Sequence, residues 1–202
     1  PIGLIGQLNI IVVTVVISIG LIPIFISHKK YFNLVASALT SGWRWLSHID
    51  IIFRILCFGL FSLLFLFLLS ALLTGPLGDA EAYYMAYPKV MAASGYLSEM
   101  PGIYSSFSQI GMLGELHFTA LMTLGLAETS KLFVWLIAIS AGLMLAAICM
   151  HVGIGKRGQW LSFVILFTST GFTNHIWDGK VDVFPVALGL AAVYWIILED
   201  RV

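Results

Sequence analysis

The sequence predicts an all-α protein, a polytopic bundle of transmembrane helices with extracytoplasmic juxtamembrane helices in the loop after the second span. Sixty per cent of the 202 residues are hydrophobic and only 10% are charged, whereas soluble domains average about 45–50% apolar and about 25% charged residues. The mean hydropathy is +1.01. We therefore expect an integral membrane protein that forms a single transmembrane domain over residues 1–202.

Five apolar segments are predicted to cross the membrane. A helix rises 1.5 Å per residue, so about 20 residues cross the hydrocarbon core of roughly 30 Å. In chain order the segments cover residues 5–26, 51–74, 132–150, 160–176 and 183–198. Cys57 and Cys149 lie inside two of these runs, so we expect both to be packing residues without a disulfide.

A sixth segment, residues 111–126, is expected not to cross. Its 16 residues reach only about 24 Å as a helix, and they include Glu115 and His117. If this segment stays outside, seven of the ten Lys and Arg residues are cytoplasmic; if it crosses, six are. Cytoplasmic loops carry the excess of basic residues. The count and the short basic turn at 155–158 therefore favour the first arrangement.

This topology places two connecting segments on the extracytoplasmic side, the loop 75–131 with its surface helices and the short turn 174–182. The segment 28–50 is then cytoplasmic, and Trp43, Arg44 and Trp45 suit it to an interfacial anchor helix. Ten basic and ten acidic residues cancel, which argues against a nucleic-acid partner. Membrane lipid is the expected partner of the apolar surface.

Residues 80–94 of the outer loop are predicted to form one helix that lies at the membrane surface. Asp79 would be its N-cap and Gly95 its end. Its apolar stripe, with aromatic rings at headgroup level, consists of Tyr83, Tyr87, Val90 and Met91. Pro88 is expected to bend this helix because proline removes an internal hydrogen bond.

Two acidic segments fall on the extracytoplasmic side and are the candidate site. One is the motif GDAEAYY at 78–84, and the other is the run NHIWDGKVD at 174–182. Helix capping alone would account for Asp79, and a favourable helix dipole would account for Glu81. Asp178 or Asp182 could likewise cap the last span. Two acidic segments on the same side of so apolar a chain nevertheless predict a shared site.

No metal or cofactor is expected. Glu115 and His117 are two residues apart, so on a regular helix they point about 200° from each other. They also lack neighbouring Cys or further His, which makes them a poor metal site.

The order of these features resembles the amino-terminal portion of GT-C superfamily glycosyltransferases, which include aminoarabinose transferases and protein O-mannosyltransferases. The resemblance covers about residues 51–200. It consists of the motif at 78–84 with the following Pro88, Lys89 and Gly95, the short semi-polar helix, the basic turn, and Asp182 at the start of the last span. Members of this superfamily are larger, so we expect the chain to be part of a longer protein.

The resemblance implies an enzyme of the bacterial inner membrane with an extracytoplasmic active site and a sugar donor linked to a polyprenyl phosphate. The acceptor is not specified. Asp79 would be the general base, and Asp182 would orient the acceptor or Lys180. Substrate contacts would come from Glu81, Tyr83, Tyr84, Lys89, His175 and Lys180, with Lys180, His175 and Lys89 facing the departing phosphate.

Two other functions fit the same composition. A transporter component would carry Gly or Pro interruptions near the bilayer centre, whereas Pro23 and Pro185 lie near span ends. In a non-catalytic membrane subunit, every acid would be a helix cap and every aromatic ring an anchor.

Overall fold

The structure, a computed structural model, describes residues 9–75, 78, 80–97, 102, 105 and 113–199, without the side chains of Ala82, Tyr83 and nine residues of the second helix. Every regular element in these parts of the chain is a helix. In chain order the α-helices are α1 Ile10–Ile26, α2 His28–His48, α3 Ile51–Leu73, α4 Ala86–Ser94, α5 Leu113–Thr123, α6 Ser130–His151, α7 Lys156–Thr168, α8 Thr170–Asp178 and α9 Val183–Glu199. A π-helical turn, Ala80–Tyr84, precedes α4, and a 3-10 turn, Ala127–Thr129, precedes α6.

Local side-chain chemistry sets several helix ends. The Asn9 side chain accepts a hydrogen bond from the Val12 amide at 3.0 Å, and Asp50 accepts one from Phe53 at 2.9 Å. These are N-caps, which satisfy amides that lack a partner in the first turn. α4 and α8 both end at a left-handed glycine: Gly95 has φ 74° and Gly179 has φ 80°, as is common at helix C-termini.

Within the part of the chain that the structure describes, two helices are long and apolar enough to cross a membrane. They are α3 and the continuous segment Ala127–His151, with mean hydropathies of 2.7 and 2.5 over their most apolar windows. Only 33% and 28% of those windows are buried, whereas the core helix of a soluble protein is mostly buried. The apolar helices α1 and α9 have 17 residues each and reach about 25 Å.

The two ends of the helix bundle differ in their side-chain chemistry. Lys131, at the start of α6, contacts Thr74 at the end of α3, so these two helices run antiparallel. Arg157, at the start of α7, pairs with Asp50 at the start of α3 at 2.9 Å. We call the end of α3 and the start of α6 the polar end, and the end formed by Asp50 and the turn 155–158 the basic end.

The core of the bundle lies where small residues of α6 face aromatic residues of α7. Ala138 and Ala141 are fully buried. A Cβ built on Gly142 would lie 2.5 Å from the ring of Phe163 and 2.7 Å from that of Phe167. These two rings stack with centroids 4.8 Å apart. Small residues let helices approach closely, and here they leave room for a pair of phenylalanine rings.

The predicted fourth span, residues 160–176, is not one helix. It is divided between α7 and α8, which have 13 and 9 residues and separate at Ser169, where φ is −67° and ψ is 117°. The break falls in a run of three hydroxyl residues, and the Thr168 hydroxyl donates to the Val164 carbonyl at 2.8 Å. Such side-chain bonds compete with regular helix bonds, and the hydropathy pattern does not register them.

The predicted helix over residues 80–94 is also interrupted. The Met85 amide donates to the Ala80 carbonyl at 2.8 Å, which closes the π-helical turn before α4 begins. Pro88 therefore lies in the first turn of α4, where a missing amide costs little. Tyr87 and Met91 are buried, and Met91 contacts Thr119 of α5. These two side chains of the stripe therefore pack on protein, while the position of the helix at headgroup level stays a prediction.

Replacing Gly142 by Ala should destabilise the protein. The added methyl group must displace two stacked and buried rings, at a cost of about 1–3 kcal/mol, against a gain in helix propensity of about 1 kcal/mol. Gly59→Ala is the matched control, because a Cβ there meets nothing within 4 Å and should leave stability unchanged or raised. Unfolding in detergent measures both variants. Equal stabilities would contradict the close approach of α6 and α7.

Candidate functional site

A buried lysine holds the polar end together. The Lys131 side chain is 3% exposed, and its ammonium group donates to the Thr74 hydroxyl at 2.8 Å and to the Gly75 carbonyl at 3.3 Å. The Ser70 hydroxyl, at 3.4 Å, is a third acceptor. An ammonium group removed from water needs such partners. Lys131 thereby ties the end of α3 to the start of α6.

The turn between α8 and α9 packs on the same lysine. The Lys131 ammonium lies 6.0 Å from the centre of the Trp177 ring, within the range of a cation–π contact. A Cβ on Gly179 would lie 2.8 Å from Lys131 Cγ, and the φ of this glycine is +80°. Backbone conformation and space both require glycine here, and the close approach fixes the position of the α8–α9 turn.

The two predicted acidic segments meet at Asp182. The Tyr84 hydroxyl, from the π-helical turn, donates to Asp182 Oδ2 at 3.3 Å. Nδ1 of His175 lies 3.5 Å from the same oxygen, and the side chains of His175 and Asp182 are 36% and 46% exposed. We call Tyr84, His175 and Asp182 the polar cluster. Its carboxylate remains accessible to a ligand and accepts a hydrogen bond from Tyr84.

Glu115 of α5 adds a second carboxylate beside the polar cluster. The preceding Gly114 contacts the α8–α9 turn so closely that a Cβ there would lie 2.5 Å from Val181 Cβ. Burial raises the pKa of Glu115; a hydrogen bond with its own backbone opposes this shift, and the negative charge of Asp182 adds to it. Its Oε2 atom is buried and has no hydrogen-bond partner among the described residues. The surroundings of Glu115 therefore make its carboxyl group a weaker acid than a free glutamate side chain.

The other predicted site residues have different surroundings or lie outside the described residues. Lys180 faces Asp178 at 3.4 Å. Glu81 is exposed, and Lys89 borders a separate surface cavity of about 720 Å³ between α4 and α5. The backbone of Tyr83 belongs to the π-helical turn, but its side chain is not described. Asp79 lies outside the described residues, so its predicted capping and catalytic roles stay predictions.

His117 does not join the cluster. Its ring lies against Phe133 and Phe184, with centroids 5.5 and 5.2 Å away, and Nδ1 is 2.7 Å from the Leu113 carbonyl. Within the described ranges no three His, Cys, Asp or Glu residues form a group that could hold a metal ion.

Sequence reasoning missed two residues of this end. The sequence pattern treats Lys131 only as one of the ten basic residues that set the topology, and Glu115 only as a polar residue that argues against a membrane crossing and makes a poor metal ligand. A signal was present for both, since each is an ionisable residue within or directly before an apolar helical run. Such residues are costly in apolar surroundings and therefore tend to have a partner or a function.

Comparisons with protein-family models, curated proteins and solved structures give no match. The similarity to GT-C glycosyltransferases therefore remains a prediction from the sequence.

Glu115→Gln should raise the melting temperature at neutral pH and above. A carboxyl group whose pKa is raised in the folded state stabilises the fold at low pH, and this contribution is lost as the pH rises through the folded-state pKa. Glutamine does not ionise. The advantage of the variant should therefore be absent below the ordinary pKa of 4.5 and grow with pH.

The exposed Glu128 provides the control, since Glu128→Gln should show no such trend. Thermal unfolding in detergent between acidic and mildly alkaline pH measures all three proteins. A melting-temperature difference between Glu115→Gln and the native protein that stays constant with pH would contradict the burial of the Glu115 carboxyl.

Proposed function

We propose that this chain is part of a membrane glycosyltransferase that uses a polyprenyl-phosphate-linked sugar at the extracytoplasmic face. The observation that carries the proposal is the contact between Tyr84 and Asp182. It joins two polar segments, 98 residues apart in sequence, into one exposed carboxylate site at the end of two long apolar helices. The resemblance of the sequence to the GT-C superfamily supports the same reaction.

A membrane location is supported by the surface of the helices. On α3, large apolar side chains such as Phe58, Phe65 and Leu73 are 74%, 57% and 77% exposed. Soluble monomers rarely expose contiguous apolar patches this extensive. Lys156 and Arg157 lie at the basic end, and basic residues are typical of cytoplasmic turns. The polar cluster at the opposite end is then extracytoplasmic.

The proposed reaction needs a base and a site for the leaving phosphate. The acceptor hydroxyl loses its proton to a carboxylate while its oxygen bonds to the anomeric carbon. The bond from that carbon to the phosphate oxygen breaks, and the polyprenyl phosphate departs with the electron pair. We assign the base to Asp79 on the resemblance. Asp182, held by Tyr84 and His175, would orient the acceptor.

The remaining polar groups suit the phosphate and the sugar. His175 and Lys180 carry positive charge or donors for the phosphate oxygens, and Lys89 would contribute from α4 only if the substrate extends that far. Tyr83, Tyr84 and Glu81 would contact the sugar ring by stacking or hydrogen bonds.

Replacing Asp79 or Asp182 by Asn should lower the turnover number for release of polyprenyl phosphate by about 10²–10⁴-fold, the usual contribution of a positioned acid or base. Asparagine preserves capping and hydrogen bonding, so folding should be retained. The measurement uses the protein in lipid nanodiscs with a panel of radiolabelled polyprenyl-phosphate sugars.

Glu128→Gln again controls for loss of a carboxylate at the polar end, and it should leave turnover unchanged. If the native protein releases polyprenyl phosphate from a donor but both aspartate variants do so at the native rate, the assigned site is wrong. If no donor is consumed, the alternative of a non-catalytic membrane subunit is favoured.

A further inference from the structure

A groove at the basic half of the bundle is not used by the proposed reaction. Its volume is about 730 Å³, and its walls come from α2, α3, α6 and α7. This size falls within the range of about 300–1,000 Å³ that is typical of small-molecule sites. The walls are apolar over most of their length, and among the wall residues Phe61, Phe65 and Leu143 are 49%, 57% and 61% exposed. The groove is therefore open along the side of the bundle.

The length of the groove matches one leaflet of a bilayer. Along α6 its lining begins at Trp135 and ends at Ala146, a rise of about 16 Å. The hydrocarbon core is roughly 30 Å thick, so this is about half of it. On α3 the lining ends at Leu68, before Ser70 and the Lys131 network. The groove thus stops short of the polar end.

Positive charge and aromatic rings lie where the groove reaches the basic end of the bundle. Lys156 and Gln159 line it there, and Lys156 is exposed. Next to them the indole rings of Trp45 and Trp160 stack with centroids 5.6 Å apart and planes within 3°. Tryptophan is enriched where hydrocarbon meets headgroups. The Trp pair therefore places Lys156 at the level of a phosphate group.

Helix α2, which forms one wall of the groove, adds further positive charge next to it. Between His28 and His48 it contains Lys29, Lys30 and Arg44 but neither Asp nor Glu. Arg157 is already paired with Asp50, so Lys156 is the lining residue whose charge suits an anion. A basic amphipathic helix beside an apolar groove is typical of binding to anionic lipid at an interface.

We propose that the groove binds an anionic phospholipid of the cytoplasmic leaflet, with an acyl chain between α3 and α6 and the phosphate at Lys156. This lipid site and the proposed active site have only the membrane location in common. The lipid site lies at the other end of the bundle, and its lipid is bound without being converted. The occupied groove would complete the packing of α2 against α3 and α7.

The test is a competition between dioleoyl phosphatidylglycerol and dioleoyl phosphatidylcholine, which have the same acyl chains. Protein equilibrated with an equimolar mixture in detergent is analysed by native mass spectrometry for retained lipid. The native protein should retain one phosphatidylglycerol in preference by about fivefold or more, the effect of one lysine near an anionic lipid surface. Equal retention of the two lipids would overturn the proposal.

Two variants separate the headgroup contact from the acyl contact. Lys156→Gln should lose the preference while still retaining lipid, whereas Ala146→Phe fills the groove and should retain neither lipid. Glu128→Gln, at the polar end of the bundle, is the control and should retain phosphatidylglycerol as the native protein does. If Ala146→Phe retains as much phosphatidylglycerol as the native protein does, the groove does not hold the lipid. The same follows if the native protein forms a dimer that Ala146→Phe abolishes, because a second copy of the chain would then fill the groove.

The outcome is independent of catalysis. Asp182→Asn should retain phosphatidylglycerol normally even though it is expected to lose glycosyl transfer. A protein that binds the lipid but transfers no sugar would disprove the proposed function alone, and active protein without lipid preference would disprove this inference alone.

Discussion

The packing of the polar end depends on the hydrogen bonds that the buried Lys131 ammonium group donates. This group donates to oxygens of Ser70, Thr74 and Gly75, and the lysine side chain packs against Gly179. Removing an ammonium group from water costs several kcal/mol, and these partners offset that cost only when the end of α3 and the start of α6 are in register. The α8–α9 turn is then held at the same place, and with it Asp182.

The polar cluster follows from that constraint. Once the α8–α9 turn is fixed, Asp182 lies within reach of Tyr84, while α5 packs its Gly114 against the same turn and carries Glu115 alongside. Helices α5 and α8, the α8–α9 turn and the π-helical turn thus supply ionisable groups to one region of the polar end. Burial of the Glu115 carboxyl, and to a smaller extent the nearby charge of Asp182, raise the pKa of Glu115.

Charge and shape divide the molecule along its length. The polar end holds accessible carboxylates, whereas the basic end combines a surface ion pair between Arg157 and Asp50 with an apolar groove and a stacked Trp pair. The surface pair contributes little stability by itself; it does show that α3 and α7 begin together. The small residues of α6 and the rings of α7 connect the two ends through a closely packed core.

The sequence by itself determined the helical class, the existence and approximate ends of α1, α3, α6 and α9, and the end of α4 at Gly95, because apolar runs and glycine caps are local properties. It also singled out Asp182, Tyr84 and His175 as candidate residues. Tertiary structure decided that Tyr84 and His175 meet at Asp182, that Lys131 and Glu115 belong to this end, and that α5 packs on Met91. These depend on packing between residues distant in sequence. The hydropathy pattern did not predict the helix breaks at Ser169 and Met85. These breaks come from side-chain and backbone hydrogen bonds, which leave the apolar pattern unchanged.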